Sequence, residues 1–106
     1  MKEEEIAKIN FKDNLTLMRD HFREKGTFFN TERVIELQPQ YLLVYKGSNT
    51  NKKPEKVINL NLVKCHWISN NGKQGFKLSK GNGKMESYTI YAKNIQVFKS
   101  WKETMR

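Results

Sequence analysis

The segment Arg33–Lys46 constrains the fold most strongly, because its pattern predicts two β-strands joined by a tight turn. Both arms are rich in β-branched and aromatic residues, and the central Pro39 cannot donate a hydrogen bond to a sheet. Side chains alternate along a strand, so Arg33 shares one face with the apolar Ile35 and Leu37. Since a charge cannot be buried without a partner, we expect Arg33 at an open end of the sheet.

Further strands are predicted on both sides of this hairpin. A first strand is expected within 15–24, and apolar residues alternate over 58–62, 63–67, 76–78 and 88–92. The alternation slips by one residue between Leu62 and Val63, which predicts a bulge or a corner. The chain should therefore form six or seven short antiparallel strands.

The two ends of the chain show a helical pattern instead. Asn94 is a good N-cap, and the apolar residues that follow it recur at helical spacing up to Met105. A similar stripe predicts an additional N-terminal helix over roughly 3–14. Because a small sheet cannot bury both faces alone, we expect a bent barrel with the C-terminal helix closing one end.

The charge is large and unevenly distributed. The formal net charge is +9; residues 1–45 contribute 7 basic and 8 acidic groups, whereas residues 46–106 contribute 13 basic and 3 acidic groups. Such a field favours a polyanionic partner, which could be a membrane surface, a phosphorylated ligand or a nucleic acid. The alternative is a lysine-rich surface that only keeps the protein in solution.

The sequence contains no constellation that predicts an enzyme. His21, His66 and Cys65 lack the spacing of a metal site, and Gly81-Asn-Gly83 is not followed by the lysine of a phosphate-binding loop. We therefore expect no catalytic residue, metal or cofactor. The chain also lacks a signal peptide and a run of about 18 apolar residues, and its single cysteine is consistent with a reducing compartment.

The positive indication is an anion-binding site. Basic residues are expected at one end of the sheet: Arg23, Lys25, Arg33, Lys46, Lys52 and Lys53. Arginine binds phosphate through a bidentate fork and lysine as a mobile charge, so such a group could hold a phosphorylated headgroup. Phe28 and Phe29 lie in the adjacent loop. Either one of them packs under the sheet, or the pair inserts into a bilayer.

At this point the chain resembles a pleckstrin homology (PH) domain over about 85 residues. The resemblance depends on a basic loop before Arg33-Val-Ile-Glu-Leu, the return strand Tyr41–Lys46, the strand Val57–Leu60, the strand Tyr88–Ala92, and a terminal helix with Trp101. It implies a PH-like barrel of two near-orthogonal antiparallel sheets capped by one helix. The domain would then comprise residues 15–106, preceded by an extension at 1–14.

The resemblance also implies a function and its residues. Phosphoinositide-binding members carry basic residues at positions that match Arg23, Arg33 and Lys46 here, whereas the middle position of their motif is Thr31, which is not basic. The leading hypothesis is a cytoplasmic module that recruits a larger parent protein to membranes by binding phosphoinositide headgroups or an anionic surface. The alternative is a protein-docking or autoinhibitory module that binds a neighbouring domain. Nucleic acid is not the expected partner, because the aromatic residues are mostly assigned to the core.

Overall fold

The computed structural model describes residues 14–47, 53–80 and 87–105. Within these ranges it contains seven strands and one α-helix. They are β1 Met18–Glu24, β2 Thr31–Leu37, β3 Tyr41–Lys46, β4 Lys56–Asn59, β5 Val63–Asn70, β6 Lys73–Lys80, β7 Ser87–Ala92 and α1 Ile95–Thr104. The predicted class, a mainly β domain with a C-terminal helix, is confirmed. Of the predicted helix over 3–14, residues 3–13 lie outside the described residues, and Asn14 is not helical.

The seven strands form one antiparallel sheet in the order β4-β3-β2-β1-β7-β6-β5. The slip in alternation corresponds to a short 3-10 helix at Leu60–Leu62, which joins the two edge strands β4 and β5. The corner predicted there is therefore confirmed. The turn between β5 and β6 uses Asn71 and Gly72, both with positive φ, as a two-residue hairpin requires.

The main core lies on the inner face of this sheet, where buried residues of β1, β2, β3, β6, β7 and α1 meet. Trp101 is completely buried and packs edge-on against Phe22 of β1, with ring centroids 4.8 Å apart. Its Nε1 donates a 2.6 Å hydrogen bond to Asp20 Oδ2. The helix begins at the predicted N-cap, because the Asn94 side chain accepts a hydrogen bond from Val97 N. Helix α1 is thus hydrogen-bonded to strand β1.

A second buried cluster lies on the opposite, outer face of β2, β3 and β4. It consists of Val34, Tyr41, Leu43 and Tyr45, with Val57 packed against them. Residues 41–45 are consecutive and all buried, so both faces of β3 are covered. A strand with one solvated face would show alternating burial instead.

Candidate functional site

The predicted basic residues that the structure describes lie near one end of the sheet, which we call the loop end. There β1 and β3 finish, β2 and β4 begin, and the loops 25–30 and 47–55 connect them. The register places Arg33 opposite Phe22 and the neighbouring Val34 opposite Tyr45, so Arg33 lies near the end of β3 as expected. Its backbone also forms a bridge with Gly47.

Arg33 faces inward at this end and is surrounded by carboxylates. Its side chain is 12% exposed; Nη2 lies 3.6 Å from Glu24 Oε2, and Nε lies 3.6 Å from Glu55 Oε2. Both distances are too long for good hydrogen bonds. The guanidinium donates one shorter bond, 2.9 Å from Nη1 to the Glu32 carbonyl, whereas its buried Nε has no hydrogen-bond partner among the described residues. The two carboxylates therefore compensate the charge of Arg33, but their contacts with the guanidinium are longer than good hydrogen bonds.

Two further residues complete the inner side of the loop end. Tyr88 lies on the core face of β7, and Lys56 Nζ sits 4.5 Å from the centre of its ring, a cation–π distance. Burial raises the pKa of Tyr88, and the neighbouring carboxylate of Glu24 raises it further. Among the described residues, the inner side of this end thus carries two acidic groups, Glu24 and Glu55, beside two basic ones, Arg33 and Lys56, and their formal charges cancel.

Arg23 lies at the same end of the sheet but on the other face. It is opposite Glu32, whereas its neighbour Phe22 points into the core together with Arg33. Glu32 also forms an ion pair with Lys93, which follows β7: Lys93 Nζ lies 2.7 Å from Glu32 Oε1. The structure therefore does not bring Arg23 and Arg33 together on one face.

The other predicted cations form an exposed rim. Lys25, Lys46 and Lys53 are all exposed around the loop end, and Lys52 lies outside the described residues. The backbone N–H of Lys25 donates a 3.0 Å hydrogen bond to the Thr89 carbonyl, which anchors the start of the β1–β2 loop. Thr31, at the middle position of the motif, begins β2 and is partly buried.

Phe28 and Phe29 project from the β1–β2 loop, with 93% and 77% of their surface exposed. The interpretation that one of them packs under the sheet is therefore wrong. A close backbone approach shapes this loop: a Cβ atom on Gly26 would lie 2.2 Å from the Phe29 carbonyl oxygen. Only glycine fits there, and its approach holds the bend from which both rings extend.

The sequence did not predict the carboxylates around Arg33. Glu24 follows Phe22 by two residues, so the alternation that places Phe22 in the core also places Glu24 on the inner face. Glu55 lies in a loop and has no such periodic signal. It is positioned by its backbone N–H, which donates a 2.7 Å hydrogen bond to the Val44 carbonyl.

A tighter polar network occupies the outer face of the sheet. The buried Glu36 accepts hydrogen bonds from Arg19 Nη2 at 2.7 Å, Thr16 Oγ1 at 3.0 Å and Tyr45 OH at 3.0 Å. Burial alone would raise the pKa of Glu36, but these three hydrogen bonds outweigh it and the pKa lies below its ordinary value. Burial and the Glu36 carboxylate raise the pKa of Tyr45 to about 12. Glu36 is therefore held as an anion.

Comparison with known proteins identifies the fold. The sequence profile of the PH domain family matches residues 14–106. The chain belongs to the PH domain family. PH domains are typically non-catalytic modules. No curated protein sequence matches the chain.

Several solved structures share this PH fold at low sequence identity. The DH/PH domain of human ARHGEF11, in a ternary complex with human RhoA and its inhibitor, has a TM-score of 0.75 at 13% identity, covering 94% of this chain and 30% of that one. The C-terminal PH domain of pleckstrin bound to D-myo-Ins(1,2,3,5,6)P5 has a TM-score of 0.69 at 15% identity, covering 86% and 92%. Autoinhibited Vav1 has a TM-score of 0.70 at 17% identity, covering 87% and 18%.

The chain spans only 18% of the Vav1 chain and 30% of the ARHGEF11 chain, whereas it spans 92% of the pleckstrin PH domain chain. Among the described residues, no helix is long and apolar enough to cross a membrane.

Proposed function

We propose that this PH domain binds anionic membranes, including those that contain phosphoinositides, through its loop end. Phe28 and Phe29 would enter the outer part of the bilayer, while Lys25, Lys46 and Lys53 would meet lipid phosphates. The observation that carries the proposal is the pair of exposed phenylalanine rings beside exposed lysines. Lys52 and Arg23 would add to the attraction without sharing the inner face.

The expected strength of this binding follows from its two components. Complete burial of a phenylalanine side chain contributes about 1.5–3 kcal/mol, and each basic group near an anionic surface contributes about 1 kcal/mol. Partial insertion of two rings together with three or four cations gives useful but reversible affinity. Loss of both rings should weaken binding more than loss of any one lysine.

Arg33 has a conditional role in this proposal. To reach a phosphate it must exchange its contacts with Glu24 and Glu55, which are long at 3.6 Å. A phosphate offers shorter, bidentate contacts, so the exchange is physically reasonable where the local anion concentration is high. The acidic neighbours should nevertheless make headgroup recognition weaker and less stereospecific than in a site lined only by bases.

The test is sedimentation with vesicles of neutral lipid, of neutral lipid with phosphatidylserine, and of neutral lipid with individual phosphoinositides at matched total charge. Phe28→Ser/Phe29→Ser should reduce binding to every anionic vesicle. Leu62→Ser is the matched control, because Leu62 is 58% exposed at the corner between β4 and β5, away from the loop end.

The basic residues are tested in the same assay. Lys25→Ala/Lys53→Ala should reduce binding and its salt dependence, with Lys64→Ala/Lys99→Ala as the charge-matched control on exposed residues of β5 and α1. A preference for one phosphoinositide that disappears in Arg33→Gln would indicate recognition at Arg33. Unchanged binding in both the phenylalanine and the lysine variants would refute the proposed surface.

A docking or autoinhibitory function is the second candidate. Two observations favour it: the charge of Arg33 is compensated by carboxylates, and structural neighbours include DH/PH fragments and an autoinhibited exchange factor. It predicts binding to a neighbouring domain of the parent protein that vesicles do not compete with. Absence of sedimentation with every vesicle, together with such binding, would favour this function over the first.

A further inference from the structure

Strand β5 lies at one edge of the sheet and, within residues 14–47, 53–80 and 87–105, pairs with β6 alone. All eight of its residues are in register with β6, so the strand is regular along its whole length. Lys64, Cys65 and His66 are consecutive and all exposed, although neighbouring side chains alternate between the two faces. The edge is therefore accessible from both faces, and the backbone groups of β5 that do not bond β6 point away from the sheet.

The outer side of this edge is basic. Trp67 packs against Phe76 on the core side of the sheet, so Lys64 and His66 lie on the opposite, outer side. His66 is opposite Lys77 of β6. The three strands β5, β6 and β7 contain no aspartate or glutamate, so no carboxylate of these strands neutralises Lys64 or Lys77. The charge of this surface favours an acidic partner.

The core side of the same edge adjoins an apolar cleft of about 220 Å³. Among the described residues, Val63 and Cys65 of β5 line it, and Leu60, Leu78 and Met105 contribute further apolar side chains. Cys65 is exposed, so the cleft opens to solvent beside the edge. Since an apolar cavity of about 150 Å³ holds a benzene-sized molecule, this cleft is large enough for a valine or leucine side chain.

We propose that β5 binds an extended segment of a partner protein as an additional strand, and that the side chains of this segment are alternately acidic and apolar. Its backbone would bond the open edge, because an exposed strand can be extended by one more strand. Its acidic side chains would lie beside Lys64 and within the field of Lys77, while an apolar side chain between them would enter the cleft. The inference does not depend on membrane binding at the loop end.

Charge and shape select this occupant over others. A second copy of the chain would place Lys64 and His66 of one β5 against the same basic strand of the other, and like charges opposite each other destabilise a strand pair. A nucleic acid or a membrane would meet the lysines, but it would use neither the unpaired backbone groups nor the cleft. An acidic and apolar protein segment uses all three features of the edge.

The test titrates the isotope-labelled full chain with an eight-residue peptide of alternating glutamate and valine, which matches the length of β5. We expect NMR shifts in β5 and increased hydrogen-exchange protection of the β5 amides that do not bond β6, with the signals of the loop 25–30 unchanged. The controls are a lysine–valine peptide and a fully N-methylated glutamate–valine peptide, which cannot donate to the edge. Binding of either control as tight as that of the glutamate–valine peptide would overturn the proposal.

Variants of the edge sharpen the test. Lys64→Glu should weaken peptide binding about fivefold, whereas Lys99→Glu, an exposed residue of α1, should leave it unchanged. Because Cys65 is the only cysteine, a bulky maleimide modifies this position alone and should block the cleft, while Cys65→Ser should bind the peptide like the wild type. Unchanged binding in both Lys64→Glu and the alkylated protein would refute the site.

Two further outcomes would assign the surface to other partners. Equal affinity for octaglutamate or an oligonucleotide would show general charge attraction without strand pairing, and it would overturn the proposal. Analytical ultracentrifugation of the protein alone tests for a second copy. A dimer whose formation shifts the β5 signals would assign the edge to self-association and would likewise overturn the proposal, whereas a monomer supports the edge as a free surface.

Discussion

Two arginines of this PH domain lie against carboxylates on opposite faces of the same sheet, and their geometries differ. Arg19 donates to Glu36 at 2.7 Å within a network that includes two hydroxyl donors. Arg33 lies 3.6 Å from each of two carboxylates, and its Nε lacks a hydrogen-bond partner among the described residues.

This difference indicates that the Glu36 network is structural, whereas Arg33 can exchange its carboxylate contacts for another anion. A carboxylate with three good donors has nothing to gain from a new partner, whereas a guanidinium with long contacts can gain by binding a better acceptor. Incompletely satisfied polar groups are a recurring property of binding sites. The comparison therefore supports Arg33, rather than Arg19, as a residue that can change partners.

The largest expected effect is the loss of the tight network. Glu36→Ala removes the shared acceptor and leaves the buried hydroxyl of Tyr45 without a partner. We expect the free energy of unfolding to fall by about 2–4 kcal/mol, measured by denaturant unfolding. Thr16→Ala, which removes one donor at the margin, should cost less. Equal losses in the two variants would contradict the central role of Glu36.

A smaller effect should appear as a dependence on pH. The folded-state pKa of Glu36 lies below its ordinary value of 4.5, so its ionised form stabilises the fold above that pH. This contribution is lost as the pH falls below about 4.5 and through the lowered pKa. Unfolding curves between pH 3 and pH 7 should therefore show a shallower pH dependence for Glu36→Gln than for the wild type, and parallel curves would refute this assignment.

Removal of the carboxylates beside Arg33 should increase a property of the protein, its affinity for anionic vesicles, whereas the changes at Glu36 decrease stability. If the loop end binds anionic membranes, Glu24→Gln/Glu55→Gln releases one cation, worth about 1 kcal/mol or roughly fivefold in vesicle affinity. Glu103→Gln, on the exposed side of α1, is the charge-matched control for the single variant Glu55→Gln, because each removes one negative charge. A gain as large in the control as in Glu55→Gln alone would mean that only the overall charge matters.

The smallest effect is expected at the exposed ion pair of Lys93 and Glu32. Lys93 Nζ lies 2.7 Å from Glu32 Oε1, as close as the Arg19–Glu36 pair, but both side chains are substantially exposed. Because water and salt screen such a pair, Lys93→Ala should leave the unfolding midpoint unchanged within error. A shift approaching that of Glu36→Ala would show that distance, rather than burial, determines the contribution.

Much of the fold could be predicted because its signals are local. The Pro39 turn, the slip at Leu62 and the Asn94 cap each depend on a few adjacent residues, and each corresponds to a boundary in the structure. The double-sided burial of β3 also had a local signal, since Tyr41–Tyr45 is an uninterrupted apolar run. That run was interpreted as an ordinary hairpin arm.

The candidate site could be predicted only in part. It depends on which face of the sheet each side chain lies on and on where the side chains of the loops point. The sequence placed Arg23 and Arg33 at one end of the sheet, but their opposite faces follow from the pairing register. Glu55 reaches Arg33 through a loop, and no periodicity predicts where a loop side chain points. Likewise, the exposure of Phe28 and Phe29 depends on the bend at Gly26.

The hydrogen bond between Trp101 and Asp20 has a consequence for biosynthesis. It joins side chains 81 positions apart, and Trp101 occupies the centre of the core. A ribosome must therefore release nearly the whole domain before the first strand can acquire its final neighbours. Until then we expect the growing polypeptide to expose the apolar face of its sheet, a state that favours aggregation and that chaperones bind.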